Sequence, residues 1–324
     1  MDDADRMMAT ITRALDRLGM EGSVDPACVR RLTSGMSGSE VIAFCLDDRD
    51  VVMKRTVARA GGALDPRAVR EVRFYRDLAA VVPVTVPGMI GSFLDDQAEA
   101  MLLLAACEPP PPPDAWGRQD LEDVAFAAGR FHALMRDVPR PGWLQPASVS
   151  STEDCVAAVA GWRAFVAGPG AGLIADDLLQ RMVVTIRAVP SRDRVVDLGP
   201  QTLCHGDFHA GNLLRGPGGG WVWADWQEVH VGPGVNDLAF FWQRLFASSD
   251  RDMTPMFPVL IEAYWFGLNA AGEAGMRRDA LERALAWSEL RGWLLAWPPY
   301  LGYLAPDQRA RVLGRITRLL DGQP

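Results

Sequence analysis

Five consecutive prolines, residues 109–113, divide this sequence of 324 residues into two parts of different character. Proline lacks a backbone N–H donor and fixes φ, so such a run is stiff and extended and cannot join a helix or a central strand. Before the run, short apolar segments alternate with polar turns, as strands do; after it, apolar residues recur at helical spacing. We therefore predict an α+β chain with two lobes. A ligand for a proline-binding domain is the weaker interpretation of the run.

The change of character predicts a hinge at about residues 105–113. The first lobe, residues 1–106, is expected to be mostly β with one important helix. That helix should begin at Asp65, which is followed by proline, because aspartate is a preferred N-cap and proline fits the first helical turn. The second lobe, residues 107–324, is expected to be larger and helical, and Asp120 is predicted to cap its first long helix.

Charge and cysteine content restrict the partners and the compartment. The net charge is -8 and the pI is about 5.1, which argues against a nucleic acid or an anionic membrane as partner. The 5 cysteines are scattered without a CxxC pair, as is typical of reduced thiols. The first residues are acidic where a secretory signal would be basic and then apolar, and no apolar run reaches the length of a membrane span. We expect a cytoplasmic protein.

One lysine, Lys54, stands among 33 basic residues, and the other 32 are arginine. A bias this strong suggests that most basic positions accept arginine. Lys54 then marks a site where a compact ammonium is needed and a planar guanidinium does not fit. Survival of one surface lysine by chance is the alternative, but the apolar residues 51–53 before it favour a strand position.

The segment His-Gly-Asp-Phe-His-Ala-Gly-Asn, residues 205–212, carries the strongest chemical pattern. Asp207 and Asn212 lie five residues apart in a loop with apolar flanks, and Asp225 follows thirteen residues later at the end of a predicted strand. The glycine-rich turn at 216–220 should fold Asp225 back beside Asn212. A carboxylate and an amide oxygen placed in this way can share Mg²⁺, and Asp207 is left to face a hydroxyl group.

This segment resembles the HGDxxxxN catalytic loop of the aminoglycoside phosphotransferase family, whose members have a bilobal protein-kinase-like fold. The resemblance implies that Asp207 is the catalytic base and that His205 braces the loop. It also implies that Asn212 and Asp225 are the magnesium ligands and that Asp237, in Asn-Asp-Leu-Ala, supports the loop from below. A turn in which the side chains of Asp207 and Asn212 cap backbone amides is the alternative.

The resemblance extends over residues from about 32 to 240. Lys54 falls where the family has its phosphate-binding lysine, and Glu71 falls where that lysine has its helix partner. For Glu71 alone, an exposed ion pair with Arg67 four residues earlier is the default interpretation. The resemblance further implies a nucleotide site formed by a small-residue turn, strand positions and a hinge, at Gly35, Ser37, Gly38, Val41, Val52, Ala105, Cys107 and Leu214.

The implied activity is transfer of the terminal phosphoryl group of ATP or GTP, with Mg²⁺, to a hydroxyl of a small molecule, with an antibiotic as the expected acceptor. Residues 245–324 hold nine acids and nine arginines, so no acidic excess favours a polycationic aminoglycoside. A macrolide-like or nucleoside-type antibiotic or a sugar-bearing metabolite is therefore favoured. The alternatives are a housekeeping kinase for choline, homoserine or a sugar, and a non-catalytic nucleotide-binding module. The sequence indicates neither the donor base nor the oligomeric state.

The histidines outside this pattern have structural interpretations. His132 lies on an apolar-rich helix and is expected to be a packed core residue. His209 either contacts substrate or faces solvent, and His230 has no evident partner. No histidine pair has the spacing of zinc ligands.

Overall fold

The computed structural model describes residues 3–32, 38–59, 62–270 and 276–322. The chain divides into two compact units. The first unit contains Met1–Pro110, Pro141–Leu144 and Asn212–Val229, and the second contains Pro111–Arg140, Gln145–Gly211 and His230–Pro324. The chain therefore passes between the units five times. The lobe boundaries drawn from sequence, 1–106 and 107–324, stay a prediction.

A five-stranded antiparallel sheet forms most of the first unit. Its strands are β1 (Val24–Arg31), β2 (Glu40–Leu46), β3 (Arg49–Val57), β4 (Met89–Asp95) and β5 (Glu99–Ala105), in the order β1-β2-β3-β5-β4. The turn between β2 and β3 consists of Asp47 and Asp48, with φ of 47° and 61°. Both angles lie in the left-handed region that a tight two-residue hairpin turn requires, and aspartate tolerates that region better than most residues.

Helix α1 (Asp3–Leu18) packs on this sheet. Its buried residues are Met7, Ile11, Ala14 and Leu15, and the other three lie three or four positions from Ile11, on the same face of the helix. They join a core with inward-facing residues of the strands, among them Phe44, Met53 and Leu103. A helix with one apolar face gains most of its stability from this kind of contact.

Helix α2 (Pro66–Asp77) begins as its sequence predicts. The Asp65 carboxylate accepts the backbone N–H of Arg67 at 2.9 Å, and proline occupies the first turn. Glu71 and Phe74 are among the residues that this helix buries. A charged residue on that face is informative, because carboxylates are seldom buried without a partner.

A small hairpin completes the first unit. Strands β7 (Leu213–Arg215) and β8 (Trp221–Trp223) pair antiparallel, with Leu213 opposite Trp223. The glycine-rich turn between them confirms the hairpin expected from sequence.

The second unit is mainly helical. Its described helices are α3 (Arg118–Leu134), α4 (Thr152–Ala167), α5 (Asp176–Arg192), α6 (Val235–Ser248), α7 (Phe257–Ala270), α8 (Arg278–Ala296) and α9 (Pro306–Asp321). Strands β6 (Gln201–Cys204) and β9 (His230–Pro233) of this unit pair in a two-stranded antiparallel sheet. The prediction that Asp120 is the cap of α3 is wrong by one turn. The helix begins at Arg118, and the Asp120 carboxylate accepts the backbone N–H of Gly117 at 2.9 Å.

Helices α3 and α7 touch backbone to backbone at two glycines. A Cβ atom at Gly129 would overlap the carbonyl oxygen of Tyr264, and one at Gly267 would overlap that of Phe126. Glycine is therefore required at both crossings, because only glycine permits so close an approach. Within the described ranges, none of the helices is both long and apolar enough to cross a membrane.

Candidate active site

Lys54 lies on β3 and makes two short contacts with carboxylates. Its Nζ is 2.7 Å from Glu71 Oε2 and 2.7 Å from Asp225 Oδ1. The Lys54 side chain is 14% exposed, that of Glu71 is 3% exposed, and that of Asp225 is 32% exposed. Glu71 thus pairs with Lys54, whereas Arg67 pairs with Asp65 at 2.8 Å, so the default ion pair between Arg67 and Glu71 is wrong.

The charges of this cluster are unbalanced. Burial acts to lower the pKa of Lys54, but the Glu71 and Asp225 carboxylates outweigh it and raise that pKa. Burial raises the pKa of Glu71; the Lys54 ammonium opposes this rise, and the Asp225 carboxylate adds to it. Two carboxylates beside one ammonium leave a net charge of minus one when all three groups are ionised. Such a site is complementary to a further cation.

Asp225, the second residue after β8, is held in an unusual backbone conformation. Its φ is 64° and its ψ is 62°, which is the left-handed region that non-glycine residues seldom adopt. On one side of Asp225, the N–H of Ala224 donates a hydrogen bond to the Asn212 carbonyl at 2.9 Å, at the end of the hairpin. On the other side, the Trp226 ring stacks on Phe74 of α2, with ring centroids 4.1 Å apart. The backbone of Asp225 is therefore fixed through both of its neighbours, which offsets the cost of its left-handed conformation.

The loop after β6 is held by one buried carboxylate. Asp237 of α6 accepts the backbone N–H of His205 at 2.7 Å and that of Gly206 at 2.9 Å. Gly206 has φ of 83°, so the turn is built on a residue without a Cβ atom. The Asp207 N–H donates to His205 Nδ1 at 3.3 Å, and His205 is fully buried. His209 Nε2 lies 3.7 Å from Asp207 Oδ1.

His132 is a packed core residue, as expected, but it has a role that its sequence position did not indicate. Its Nε2 lies 3.1 Å from Asp237 Oδ2, and its Nδ1 lies 2.8 Å from the Tyr264 hydroxyl. Burial acts to raise the pKa of Asp237, but the hydrogen bond from His132 and the nearby imidazoles of His205 and others lower that pKa. The carboxylate that holds the loop is thus kept ionised by a histidine more than a hundred residues away in sequence. Contacts of that separation leave no local pattern.

The predicted nucleotide-site residues fall into two groups. Gly35 and Ser37 lie outside the described residues. The others are described and belong to the first unit: Gly38, with φ of 71°, Val41 opposite Lys54, Val52 opposite Leu104, Ala105 at the end of β5, Cys107 just beyond it, and Leu214 in β7. Five of these residues are half-buried: Val41, Val52, Ala105, Cys107 and Leu214.

These features agree with a family comparison. The model of the phosphotransferase enzyme family matches residues 29–292. This chain belongs to that family. The predictions of the family and of an enzyme that transfers phosphoryl groups are therefore confirmed. No curated protein matches the phosphotransferase in sequence.

Solved structures confirm the protein-kinase-like α+β fold of the phosphotransferase. An amicoumacin kinase in complex with AMP-PNP and Ca²⁺ is 14% identical, with a TM-score of 0.65 over 97% of this chain and 94% of that one. Choline kinase from Cryptosporidium parvum is 11% identical, with a TM-score of 0.62 over 97% and 94%. A macrolide 2'-phosphotransferase from Brachybacterium faecium is 19% identical, with a TM-score of 0.54 over 95% and 97%.

Proposed function

We propose that this phosphotransferase moves the terminal phosphoryl group of ATP or GTP to a hydroxyl of a small molecule, and that the acceptor is an antibiotic. The observation that carries the proposal is the double contact of Lys54 with Glu71 and Asp225. A lysine ammonium oriented by a buried helix carboxylate is suited to pairing with the phosphates of a nucleotide. The sequence supports this role too, because the ammonium is retained where every other basic residue is arginine.

The donor site follows from the first unit. Lys54 binds the non-transferring phosphates, and Glu71 orients the Lys54 ammonium toward them. The sequence predicts a small-residue turn at Gly35, Ser37 and Gly38, and its backbone amides are proposed to steady the terminal phosphate. The base is received by the hinge backbone from Ala105 to Cys107 and by the apolar side chains of Val41, Val52 and Leu214. Hinge recognition through backbone groups is compatible with either purine nucleotide.

Asn212 and Asp225 would hold the magnesium ion. Their amide and carboxylate oxygens are the hard ligands that Mg²⁺ prefers, and the excess of one negative charge around Lys54 fits a cation beside it. When bound, the ion supplies electrostatic stabilisation of charge on the phosphate oxygens. Asp225 brings a partly exposed carboxylate to this role, while its backbone is fixed by the Trp226 stack and by the β7–β8 hairpin.

Asp207 receives the acceptor hydroxyl. It orients the hydroxyl for in-line attack and takes its proton as the new P–O bond forms and the bond from the terminal phosphorus to the departing nucleoside diphosphate breaks. His205 braces the loop through the Asp207 amide, and Asp237 holds the two amides that precede it. The roles of His205 and Asp237 are those of positioning residues.

Two kinds of acceptor remain in competition. The amicoumacin kinase and the macrolide phosphotransferase act on antibiotics by their names, which supports an antibiotic. The choline kinase supports the alternative, a housekeeping kinase for choline, homoserine or a sugar. A non-catalytic nucleotide-binding module is disfavoured, because the phosphotransferase retains Lys54, Glu71, Asp207, Asn212 and Asp225. We propose a cytoplasmic location, where the five cysteines, which are free thiols in the structure, would stay reduced.

A transfer assay tests this proposal. The full chain is incubated with MgCl₂ and either ATP or GTP, together with hydroxylated antibiotics and with choline, homoserine and sugars, and phosphorylated products are detected by mass spectrometry. We expect transfer to at least one antibiotic with a higher kcat/KM than to any metabolite. A preference for choline, homoserine or a sugar would establish the alternative. Nucleotide binding without transfer to any compound would contradict the enzymatic proposal.

A further inference from the structure

A cavity of about 440 Å³ lies in the second unit beside the Gly206 turn. Its wall is formed by residues 147–150, by β9 and by sides of α6 and α8. Phe240 of α6 lines the cavity, and its ring centroid lies 6.2 Å from that of His209. Gly206 also lines the cavity and directly precedes Asp207, so the cavity adjoins the loop that carries the proposed base. Its volume suits a compact ligand, since small-molecule sites span roughly 300–1,000 Å³.

The carboxylates that line this cavity are already engaged. Asp193 is 5% exposed; it accepts the Trp287 indole N–H at 2.8 Å and an Arg291 N–H at 3.1 Å. Asp237 is 3% exposed and is bound to His132 and to the loop amides. Neither group therefore offers an exposed carboxylate to a cationic ligand, and a site for polycations needs several such groups.

Arg291 is a positively charged hydrogen-bond donor that lines the cavity. It is 20% exposed, and its guanidinium is fixed by Asp193 and by the Asn236 side-chain oxygen at 2.9 Å. Asn236 is itself held by the Ser288 hydroxyl at 2.6 Å. These contacts use two of the five N–H donors of a guanidinium, as far as the described residues go. The fork is thus pre-oriented and retains donors for a ligand oxygen.

We propose, on the basis of the proposed function, that the acceptor is an uncharged or anionic polyhydroxy compound of about nucleoside size, whose carbonyl or carboxylate oxygen is bound by Arg291. Phe240 and Leu295 supply the apolar wall for its less polar side. A polycationic acceptor is disfavoured, because it would meet the guanidinium without an exposed carboxylate. Arg291 is thereby a specificity-determining residue for the transfer reaction.

Binding measurements without nucleotide test this inference apart from phosphoryl transfer. A library of hydroxylated compounds sorted by net charge is titrated against the full chain by calorimetry, with uridine, gluconate, choline and an aminoglycoside as reference members. We expect the compounds that bind to be uncharged or anionic. In Arg291→Gln their affinity should fall about tenfold to a hundredfold, as loss of a hydrogen bond to a charged group predicts. Anions should lose more affinity than uncharged compounds, and Arg291→Lys should restore part of the anion affinity.

Arg283→Gln is the matched control. Arg283 lies on the same helix, is paired with Asp279 at 3.0 Å, and has a side chain that is 64% exposed outside the cavity lining. This variant should bind the library as the native chain does. The inference is overturned if cations are the class that binds, if no class binds, or if Arg291→Gln weakens anions and uncharged compounds equally. In the last two cases the transfer assay still tests the proposed function, because it detects phosphorylated products whatever the charge of the acceptor.

Discussion

The rings of Phe74 and Trp226 stack almost in parallel, with centroids 4.1 Å apart and an angle of 8° between their planes. Phe74 lies on the helix that carries Glu71, and Trp226 follows Asp225 directly. The stack therefore ties together the two segments whose carboxylates contact Lys54. Both rings are fully buried, so the contact is part of the core of the first unit.

Replacement of the Phe74 ring should lower the stability of the fold and weaken the proposed magnesium site. Phe74→Ala removes a fully buried aromatic side chain, which costs about 3–5 kcal/mol of unfolding free energy. Phe74→Leu keeps most of the volume and should cost less than half as much. Urea unfolding followed by tryptophan fluorescence measures the difference. Magnesium should also bind more weakly in Phe74→Ala, and equal magnesium affinity in the native chain and the variant would contradict the link to Asp225.

Lys54→Arg tests whether the ammonium itself is needed. Nζ fits between two carboxylate oxygens at 2.7 Å each, and the wider guanidinium fork has no room to repeat that geometry. We expect a fall of about a hundredfold or more in kcat/KM for the nucleotide, equivalent to about 2.7 kcal/mol of lost transition-state stabilisation. Arg55→Lys is the control, because Arg55 is the next residue on β3 and pairs with Glu99 instead. Full activity in Lys54→Arg would show that only charge matters.

Asp207→Ala should abolish transfer and leave nucleotide binding nearly unchanged. The reason is that its proposed role concerns the acceptor hydroxyl, whereas the proposed donor site is formed around Lys54. Turnover is measured with a responsive acceptor, and nucleotide affinity is measured by fluorescence titration. Asp177→Asn, an exposed acid in the first turn of α5, serves as the control for loss of one negative charge. Retained turnover in Asp207→Ala would refute the assignment.

Asp237→Asn should destabilise the chain, and the loss should depend on pH. The pKa of Asp237 is lowered in the fold from its ordinary value of 3.8, so its ionised form contributes stability that is present above that value. This stability is lost as pH falls through the lowered pKa. We expect a cost of about 3–5 kcal/mol near pH 7, as for other broken buried pairs, which shrinks below about pH 4. Unfolding midpoints measured from pH 7 to pH 3 check the trend; a constant difference would contradict it.

Local chemistry made several elements predictable. Asp65 followed by proline indicated the start of α2, and the run of glycines after Arg215 indicated the β7–β8 hairpin. Both signals act within a few residues, where backbone preferences decide the structure. The start of α3 was misplaced for a related reason. Aspartate is favoured both as an N-cap and in the first turn, so Asp120 alone does not fix the boundary.

Contacts between distant residues were less predictable. The resemblance indicated Lys54 and Glu71, but burial decided that Glu71 turns away from Arg67 and toward Lys54. The contact of His132 with Asp237 joins two residues that are 105 positions apart, so no local sequence pattern indicates it. The ion pair of Asp193 with Arg291 also joins residues that are distant in sequence. The equal numbers of acids and bases in residues 245–324 do not indicate which of these charges are exposed.

The double ion pair of Lys54 has a spectroscopic consequence. As this sequence has no other lysine, ¹⁵N-lysine labelling gives one side-chain ammonium signal in an NMR spectrum. The two carboxylates and the low exposure should slow exchange of its protons with water, so that the signal is observable. A nucleotide or a metal ion that displaces either carboxylate would shift it. The Lys54 ammonium signal would therefore report binding at the proposed donor site, with no chemical tag attached to the protein.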